Sequence, residues 1–199
     1  MHTKHDKYSP RGIAIVHESM VHLNQIIVNS FLKHKFNPYS INPSGLLKGG
    51  KPITDKIREL NTMAENKITP ITFGDVIHIR NGNYSILSGD SLMRILSKIL
   101  RPKHIIFALN IDGLYNNLEE KKLIHEIDYK NAKNNLHFLN NKNDVTGGMA
   151  RKVSESLEIV HLGLEVKMIN GLRPKEISKA INKKKFIGTI FKSSKLGEK

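Results

Sequence analysis

Apolar residues recur every three to four positions in several segments of the chain, which is the period of an amphipathic helix. Residues 15–32 show this period clearly, because Met20, Leu23, Ile27 and Phe31 follow it with polar residues between them. The pattern therefore predicts a long helix over 15–32. It predicts further helices at residues 54–65, from Gly89 to Leu100, from Gly148 to about His161, and within 171–181.

Other segments are short apolar runs bounded by Gly, Pro, Asn or Asp, a pattern that favours β-strands. An Asn-Gly pair at 81–82, between apolar flanks, predicts a hairpin across residues 79–87. The Gly- and Pro-rich segment 43–52 is predicted to break regular structure. Predicted strands lie at residues 38–41, 69–79, 84–87, 104–111, 164–170 and 186–191.

Strands that alternate with helices indicate an α/β protein whose mostly parallel sheet is covered by helices on both faces. In such sheets, ligands bind at the carboxyl ends of the strands, where the turns present backbone N–H groups. The 199 residues contain no internal repeat and no clear linker, so we expect one domain over residues 1–199.

Composition narrows the class of protein. Hydrophobic residues make up 39% and charged residues 25%, which is typical of a globular rather than a disordered chain. No apolar run approaches the roughly 18–20 residues needed to span a bilayer. Cysteine is absent, which excludes disulfides and thiolate metal sites. We therefore expect a cytoplasmic protein without membrane association.

The charge of the chain favours anionic partners. Its 32 Lys and Arg residues against 18 Asp and Glu give a net charge of +14, which suits either nucleic acid or a phosphorylated small molecule. The alternative is a general bias towards lysine that is unrelated to any ligand. Aromatic residues are only 6%, tryptophan is absent, and no aromatic stripe interleaves the lysines. Because stacking on aromatic side chains is common in single-strand recognition, the composition favours the small anion over nucleic acid.

Two turns that follow predicted strands carry residues suited to anions or nucleotides. In Ser88-Gly89-Asp90, Gly89 opens a helix, and the unpaired N–H groups of a helix start suit an anion. The alternative is that Asp90 only caps that helix. In Asn110-Ile111-Asp112-Gly113, Asp112 is suited either to a ribose hydroxyl or to holding the loop closed.

A third turn, NDVTGGMARK (143–152), combines two glycines with a lysine one helical turn later. Thr146 can cap the following helix, while Gly147 and Gly148 let the backbone approach a phosphate. Lys152 lies four residues after Gly148, so its side chain returns to the face beside the helix start. The segment lacks the P-loop spacing, and both a plain helix start and a phosphate site are compatible with it.

The ten histidines are scattered without the spacing of a metal site. His17 precedes Glu18 near the start of the first predicted helix. The pair is either a polar helix face or, through His17, a contact with a substrate.

In chain order, these segments resemble the isopentenyl phosphate kinases of the amino acid kinase superfamily, particularly those of the archaeal type. The resemblance extends from about Gly12 to Phe191, and the combination of DVTGGMxxK with NGLxPxxxxxA is its most specific part. The matching segments are GIAIVHESMVHLNQIIVNSFL, ILSGDSLMRILSKIL, HIIFALNIDGLY, NDVTGGMARKVSESLEI, VKMINGLRPKEISKAI and GTIF.

The resemblance implies a three-layer α/β/α sandwich around a mostly parallel sheet, which usually forms a homodimer. It implies a kinase that transfers the γ-phosphoryl group of ATP to isopentenyl phosphate with the help of Mg²⁺. It places Gly89 against the substrate phosphate, with Met20 and Leu23 lining the isoprenoid pocket. The residues that it places around ATP are Asn110, Asp112, Tyr115, Gly148 and Lys152.

Two features depart from that family. Related kinases often carry Thr-Asp where this chain has Leu109-Asn110, so one ATP or Mg²⁺ contact lacks its carboxylate. The family's Lys-x-Gly-Gly turn and GGGSFGH-like loop are absent, so its catalytic Lys and His motifs would lie upstream of Met1. The resemblance therefore predicts a chain without the N-terminal part of the kinase, with a strand edge or apolar surface exposed and with little or no activity.

Two other functions stay open. One is a kinase of the same superfamily that acts on a different small phosphate or carboxylate. The other is a basic nucleic-acid-binding module, for which steeply salt-dependent binding to DNA or RNA without ATP binding would be the evidence.

Overall fold

The computed structural model describes residues 9–116, 122–129 and 148–192. The chain divides into two compact units, Met1–Leu100 and Arg101–Lys199. Each unit contains both helices and strands, which confirms the predicted α/β class. The single domain over residues 1–199 stays a prediction.

The described part of the chain contains five α-helices, and the first begins earlier than predicted. Ser9 caps this helix, because its Oγ accepts a hydrogen bond from the Gly12 N–H at 3.1 Å, and Pro10 occupies the first helical position. The cap lies outside the apolar period, which is why the period alone missed it. The helices are α1 (Pro10–Lys33), α2 (Thr54–Glu65), α3 (Gly89–Leu100), α4 (Gly148–His161) and α5 (Pro174–Ile181).

Ten short strands accompany the helices in the described ranges, and most lie within the predicted segments. The strands are β1 (Pro38–Ser40), β2 (Leu47–Lys48), β3 (Lys51–Pro52), β4 (Thr69–Ile71), β5 (Asp75–His78), β6 (Tyr84–Leu87), β7 (Ile106–Leu109), β8 (Glu126–Asp128), β9 (Val166–Asn170) and β10 (Thr189–Lys192).

In the first unit, β1 and β4 pair in parallel, and β5 and β6 form the hairpin predicted from the Asn-Gly pair. The prediction for residues 43–52 was wrong. This segment forms a 3-10 turn at Pro43–Gly45, followed by the small hairpin of β2 and β3. Its regular structure is stabilised because Leu46 and Leu47 are buried in the unit.

The predicted strand over 69–79 is interrupted at residues 72–74. A Cβ atom on Gly74 would lie 2.7 Å from the Gly89 backbone nitrogen and 2.8 Å from the Leu87 carbonyl oxygen. The backbone of residue 74 therefore packs directly against the end of β6 and the start of α3, which only glycine allows. Apolar periodicity carries no signal for such a close approach.

The core of the first unit lies beneath α2 and α3. Ile57 is fully buried and packs with Leu46 and Leu60, against which the α3 residues Ile95 and Leu96 rest. A second apolar cluster joins the hairpins to α3 and contains Leu47, Ile77, Leu87 and Leu92. These clusters fix the position at which α3 begins, immediately after β6.

The second unit is built on a four-stranded sheet with the order β7-β9-β10-β8. The β7–β9 and β10–β8 pairs are parallel, and the β9–β10 pair is antiparallel. Helix α4 packs against β9 and β10, and α5 packs against β9. The side chains of Val166, Met168, Ile169 and Phe191 are completely buried, and form the centre of this core.

Within the described ranges, no helix combines the length and the apolar character that a membrane span requires.

Candidate active site

The turn that carries Asn110 and Asp112 lies at one edge of the sheet of the second unit. Strands β7 and β9 are parallel and end in register, with Leu109 opposite Asn170. Because β10 runs antiparallel to β9, its first residue, Thr189, lies near the same edge. The turn 110–113 leaves β7 at this edge, where α/β proteins bind their ligands.

Thr189 holds the turn in place. Its Oγ1 accepts a hydrogen bond from the Leu114 N–H at 2.8 Å and donates one to the Ile124 carbonyl at 2.6 Å. Gly113 has a φ of +155°, and a Cβ atom there would lie 2.6 Å from Thr189 Oγ1. Any side chain at 113 would therefore displace the hydroxyl that fixes the turn.

Asp112 is bound on both carboxylate oxygens. The Asn170 side-chain amide donates to Oδ1 at 2.9 Å, and Arg173 Nη1 lies 3.2 Å from Oδ2. Asn170 also accepts from the Leu172 N–H at 2.9 Å, so one amide links the turns that follow β7 and β9. Of the two roles considered for Asp112, holding the loop closed is therefore observed, while its contact with ATP stays a prediction.

The other predicted ATP residues differ in exposure. Asn110 is exposed at the end of β7, and Tyr115 is half-buried in a bridge with Leu123. Gly148 is the first residue of α4, and Lys152 is half-buried one turn later. Thr146 and Gly147 lie outside the described residues. The structure thus brings Asn110 and Asp112 into one turn and places Gly148 and Lys152 on one helix start, while their ATP contacts stay predictions.

In the first unit, the start of α3 is capped by Ser88. The Ser88 Oγ accepts a hydrogen bond from the Ser91 N–H at 3.1 Å, the pattern of an N-cap residue. The alternative that Asp90 caps this helix was therefore wrong, and Asp90 lies in the first turn, where a carboxylate favours the helix dipole. No atom lies within 4 Å of a Cβ placed on Gly89, so the space on that side of the helix start is open.

A second polar group lies beside this helix start. The Asp75 side chain is 1% exposed, and its Oδ2 lies 2.6 Å from Nδ1 of His17, whose side chain is 49% exposed. Asp75 Oδ1 accepts from the Val76 N–H at 2.7 Å. Asp75 follows Gly74 directly, and Gly74 is the residue that packs against Gly89.

The two predicted pocket residues of α1 occupy different positions. Met20 is half-buried and lies on the same face of α1 as His17 and Asn24. That face is turned towards the strands, because His17 is bonded to Asp75 of β5 and the Asn24 amide donates to Ser40 Oγ of β1 at 2.5 Å. Leu23 is 46% exposed and lies off that face. Whether either residue lines an isoprenoid pocket stays a prediction.

Sequence reasoning missed four residues that organise these sites, namely Ser88, Asp75, Asn170 and Arg173. Asn170 and Arg173 belong to the segment NGLRP, which contributed to the family resemblance but whose side chains were given no role. Asp75 was read as the interior of a strand. Its position after Gly74, within an otherwise apolar run, was the available signal, because a carboxylate buried in a strand requires hydrogen-bond donors.

No group of three or more His, Cys, Asp or Glu side chains that could hold a metal ion occurs in the described ranges.

Comparison with known proteins identifies the family. The model of the amino acid kinase family matches residues 2–170. The chain belongs to the amino acid kinase family. This confirms the superfamily that the sequence segments indicated.

Several relatives of this family member are isopentenyl phosphate kinases. That of Thermoplasma acidophilum is 32% identical over 126 residues, which are 62% of this chain and 50% of that protein. That of Methanothermobacter thermautotrophicus is 30% identical over 135 residues, 65% of this chain and 51% of that protein. The chain thus spans about half the length of the curated relatives it matches.

The fold also matches solved structures. The crystal structure of a product complex of the T. acidophilum isopentenyl phosphate kinase superposes with a TM-score of 0.73 at 25% identity, covering 94% of this chain and 74% of that one. The described secondary structure of this chain is therefore that of an amino acid kinase fold.

Proposed function

We propose that this protein is an ATP-dependent kinase that phosphorylates isopentenyl phosphate to isopentenyl diphosphate. The observation that carries the proposal is the structural match to an isopentenyl phosphate kinase over 94% of the chain. The identity of about 30% to two archaeal isopentenyl phosphate kinases supports the same substrate.

Phosphoryl transfer requires little covalent chemistry from a protein. It requires two phosphorylated ligands held in line and the neutralisation of their charge. The residues proposed for the nucleotide are Gly148, whose position at the start of α4 lets the backbone approach a phosphate, and Lys152, whose ammonium lies one turn later. Mg²⁺ bound to the ATP phosphates would supply further positive charge.

The turn of residues 110–113 is proposed to hold the nucleotide beside that helix start. Asp112 is already bound by Asn170 and Arg173, so its contribution is to fix the loop and to orient the guanidinium of Arg173. Arg173 is half exposed and provides a second cation at this sheet edge. The side-chain amide of Asn110, which is exposed, remains suited to a hydrogen bond with ATP.

The acceptor is proposed to bind at the start of α3. The positive end of the α3 dipole suits the phosphate of isopentenyl phosphate, and the open space beside Gly89 admits it. Met20, on the inner face of α1, is the better supported of the two proposed contacts with the isoprenoid chain, because Leu23 lies off that face.

The test is phosphoryl transfer and ligand binding by the purified protein. Because the resemblance predicts little activity for this chain, we expect ³¹P NMR to detect at most slow formation of isopentenyl diphosphate from ATP and Mg²⁺. Binding is the more sensitive test, and we expect Lys152→Ala to raise the ATP dissociation constant about tenfold. Lys175→Ala, an exposed lysine of α5, is the matched control. Preferential phosphorylation of another acceptor in a panel of small phosphates and carboxylates would contradict the proposed substrate, and absence of both ATP binding and transfer would contradict the kinase.

A homodimer and a cytoplasmic location complete the proposal. The support for a dimer is one side of α1, where Ile15, Leu23 and Ile26 are each about half exposed. Such an apolar helix surface is unusual for a monomer, and a second copy of the chain can cover it. Light scattering coupled to size exclusion should give twice the 22.6 kDa mass, and a monomer at micromolar concentration would contradict the dimer.

A further inference from the structure

His17 and Asp75 form a pair in which a half-exposed imidazole ring is bonded to a buried carboxylate. The Asp75 carboxylate is almost completely buried, and its two oxygens accept from the Val76 N–H and from Nδ1 of His17. A buried carboxylate without donors is costly, so these two bonds fix the orientation of the imidazole ring. The ring itself is half exposed, and Nε2 is its remaining polar atom.

The pair lies beside the start of α3. Asp75 is opposite Leu87 in the β5–β6 hairpin. The residue before it, Gly74, packs against the Gly89 nitrogen so closely that a Cβ atom would approach to 2.7 Å. The buried end of the pair is therefore one residue away from the backbone N–H groups that open α3.

The loop that leads to Asp75 contains a second unexplained polar group. The Thr72 hydroxyl is buried, and no hydrogen-bond partner for it occurs among the described residues. Thr72 follows the carboxyl end of β4, the edge of a parallel pair at which ligands bind. An orphaned buried hydroxyl is rare and is consistent with a ligand in this loop.

We propose that His17 contacts the acceptor phosphate through Nε2, and that Asp75 is the positioning residue that holds the ring for this contact. The assignment rests on the proposed function, in which a phosphate monoester binds at the Gly89 helix start. An imidazolium ring donates from both nitrogens, one to Asp75 and the other to the phosphate. His17 thereby adds a side-chain donor to the backbone donors of α3.

A purely structural role for His17 makes a different prediction. In that case His17 only donates a hydrogen bond to the buried Asp75 carboxylate. Any side chain with a donor at the position of Nδ1 could then take the place of His17. His17→Asn is such a variant, because the asparagine amide nitrogen occupies nearly the place of Nδ1 and no atom replaces Nε2. His22→Asn is the matched control, because His22 is an exposed histidine of the same helix.

The experiment measures the dissociation constants of isopentenyl phosphate, inorganic phosphate and ATP by calorimetry for the full chain and for these two variants. In His17→Asn, we expect the value for isopentenyl phosphate to rise about tenfold, the equivalent of about 1.4 kcal/mol. The value for ATP should change less than about twofold, and the thermal unfolding midpoint should stay close to that of the parent. Asp75→Asn, which retains the shape of the side chain, should weaken isopentenyl phosphate binding in the same direction. His22→Asn should bind all three ligands as the parent does.

Equal affinity of the parent and His17→Asn for isopentenyl phosphate would overturn the assignment, as would a loss of all affinities together with a lower unfolding midpoint. The titration with inorganic phosphate tests the role of His17 separately from the proposed substrate. If the parent binds phosphate but not isopentenyl phosphate, the proposed substrate is wrong. A phosphate affinity that falls in His17→Asn would then still support the role of His17, and an unchanged one would refute it.

Discussion

Thr189 illustrates how one hydroxyl group can determine the shape of a loop. Its side chain is completely buried, and its Oγ1 joins Leu114, 75 residues earlier, with the Ile124 carbonyl, 65 residues earlier. Both partners are backbone groups outside regular strand pairing. If the hydroxyl is lost, the buried Leu114 N–H and the partly buried Ile124 C=O lose their partner together, which is more destabilising than the loss of one exposed hydrogen bond.

Thr189→Val tests this linkage because valine has nearly the same volume and no hydroxyl. We expect a loss of about 2–4 kcal/mol in the free energy of unfolding, measured by chemical denaturation. Thr189→Ser retains the hydroxyl and should lose less than half as much. Equal losses in the two variants would mean that the methyl group, and not the hydrogen bonds, stabilises the site.

Gly113→Ala tests the close approach between the Asp-Gly turn and β10. The new methyl group would lie 2.6 Å from Thr189 Oγ1, at a φ that other residues rarely adopt. We expect a loss of about 2 kcal/mol or more in the free energy of unfolding and weaker ATP binding. Gly82→Ala is the control, because Gly82 has a φ of +72° but no atom within 4 Å of the added Cβ. It should lose about 1 kcal/mol, and an equally large loss there would show that backbone strain alone accounts for the effect.

At the scale of elements, Glu176 connects α5 to the segment before β10. Its Oε1 lies 2.6 Å from Lys179 Nζ, and its Oε2 accepts from the Ile187 N–H at 2.7 Å. The hydrogen bond from Lys179, followed by that from Ile187, lowers the pKa of the Glu176 carboxyl below its ordinary value of 4.5. The ionised form therefore favours the folded state.

The pH dependence of stability follows from this lowered pKa. The contribution of Glu176 is present above the ordinary pKa of 4.5 and is lost as the pH falls through the lower value of the folded state. We expect Glu176→Gln to unfold at a lower temperature than the parent at pH 6, and we expect this difference to shrink at pH 3. Glu158→Gln, on an exposed position of α4, should show no such change. A constant difference at both pH values would contradict the proposed linkage.

The elements themselves were largely predictable, and the reasons are physical. Helices α2 and α3 and the β5–β6 hairpin follow from apolar period and turn residues, which are local properties of the sequence. The interruption at Gly74 and the hydrogen bonds of Thr189 depend on residues that are distant in the sequence. Pattern reasoning has no access to such contacts.

The residues of the candidate site likewise divide into those with a local sequence signal and those that depend on distant contacts. Gly89, Asp112 and Gly148 were predicted because each begins or forms a turn after an apolar strand or before a helix. Asp75 and Arg173 were not, because each becomes significant only through a partner, His17 or Asp112, far along the chain. The composition of a turn thus indicates the position of a candidate site better than it indicates the distant side chains that bind to that turn.

For the whole molecule, the net charge of +14 predicts how ligand binding responds to salt. Screening by salt weakens attraction between exposed charges, so we expect the affinity for ATP to fall roughly two- to tenfold between about 50 and 500 mM salt. Adenosine, which has no phosphates, is the control and should bind independently of salt. A fall of about a thousandfold or more for DNA or RNA, with no ATP binding, would instead support the nucleic-acid-binding alternative.

The link through Thr189 also provides a natural reporter of local opening. The Leu114 amide hydrogen is held by a side chain of β10, and the Ile190 amide next to Thr189 is held by the His125 carbonyl at 2.9 Å. Both can exchange with solvent deuterium only when β10 separates from its neighbours. The two amides should therefore exchange at a common rate, and that rate would measure how often the Asp-Gly turn loses its support.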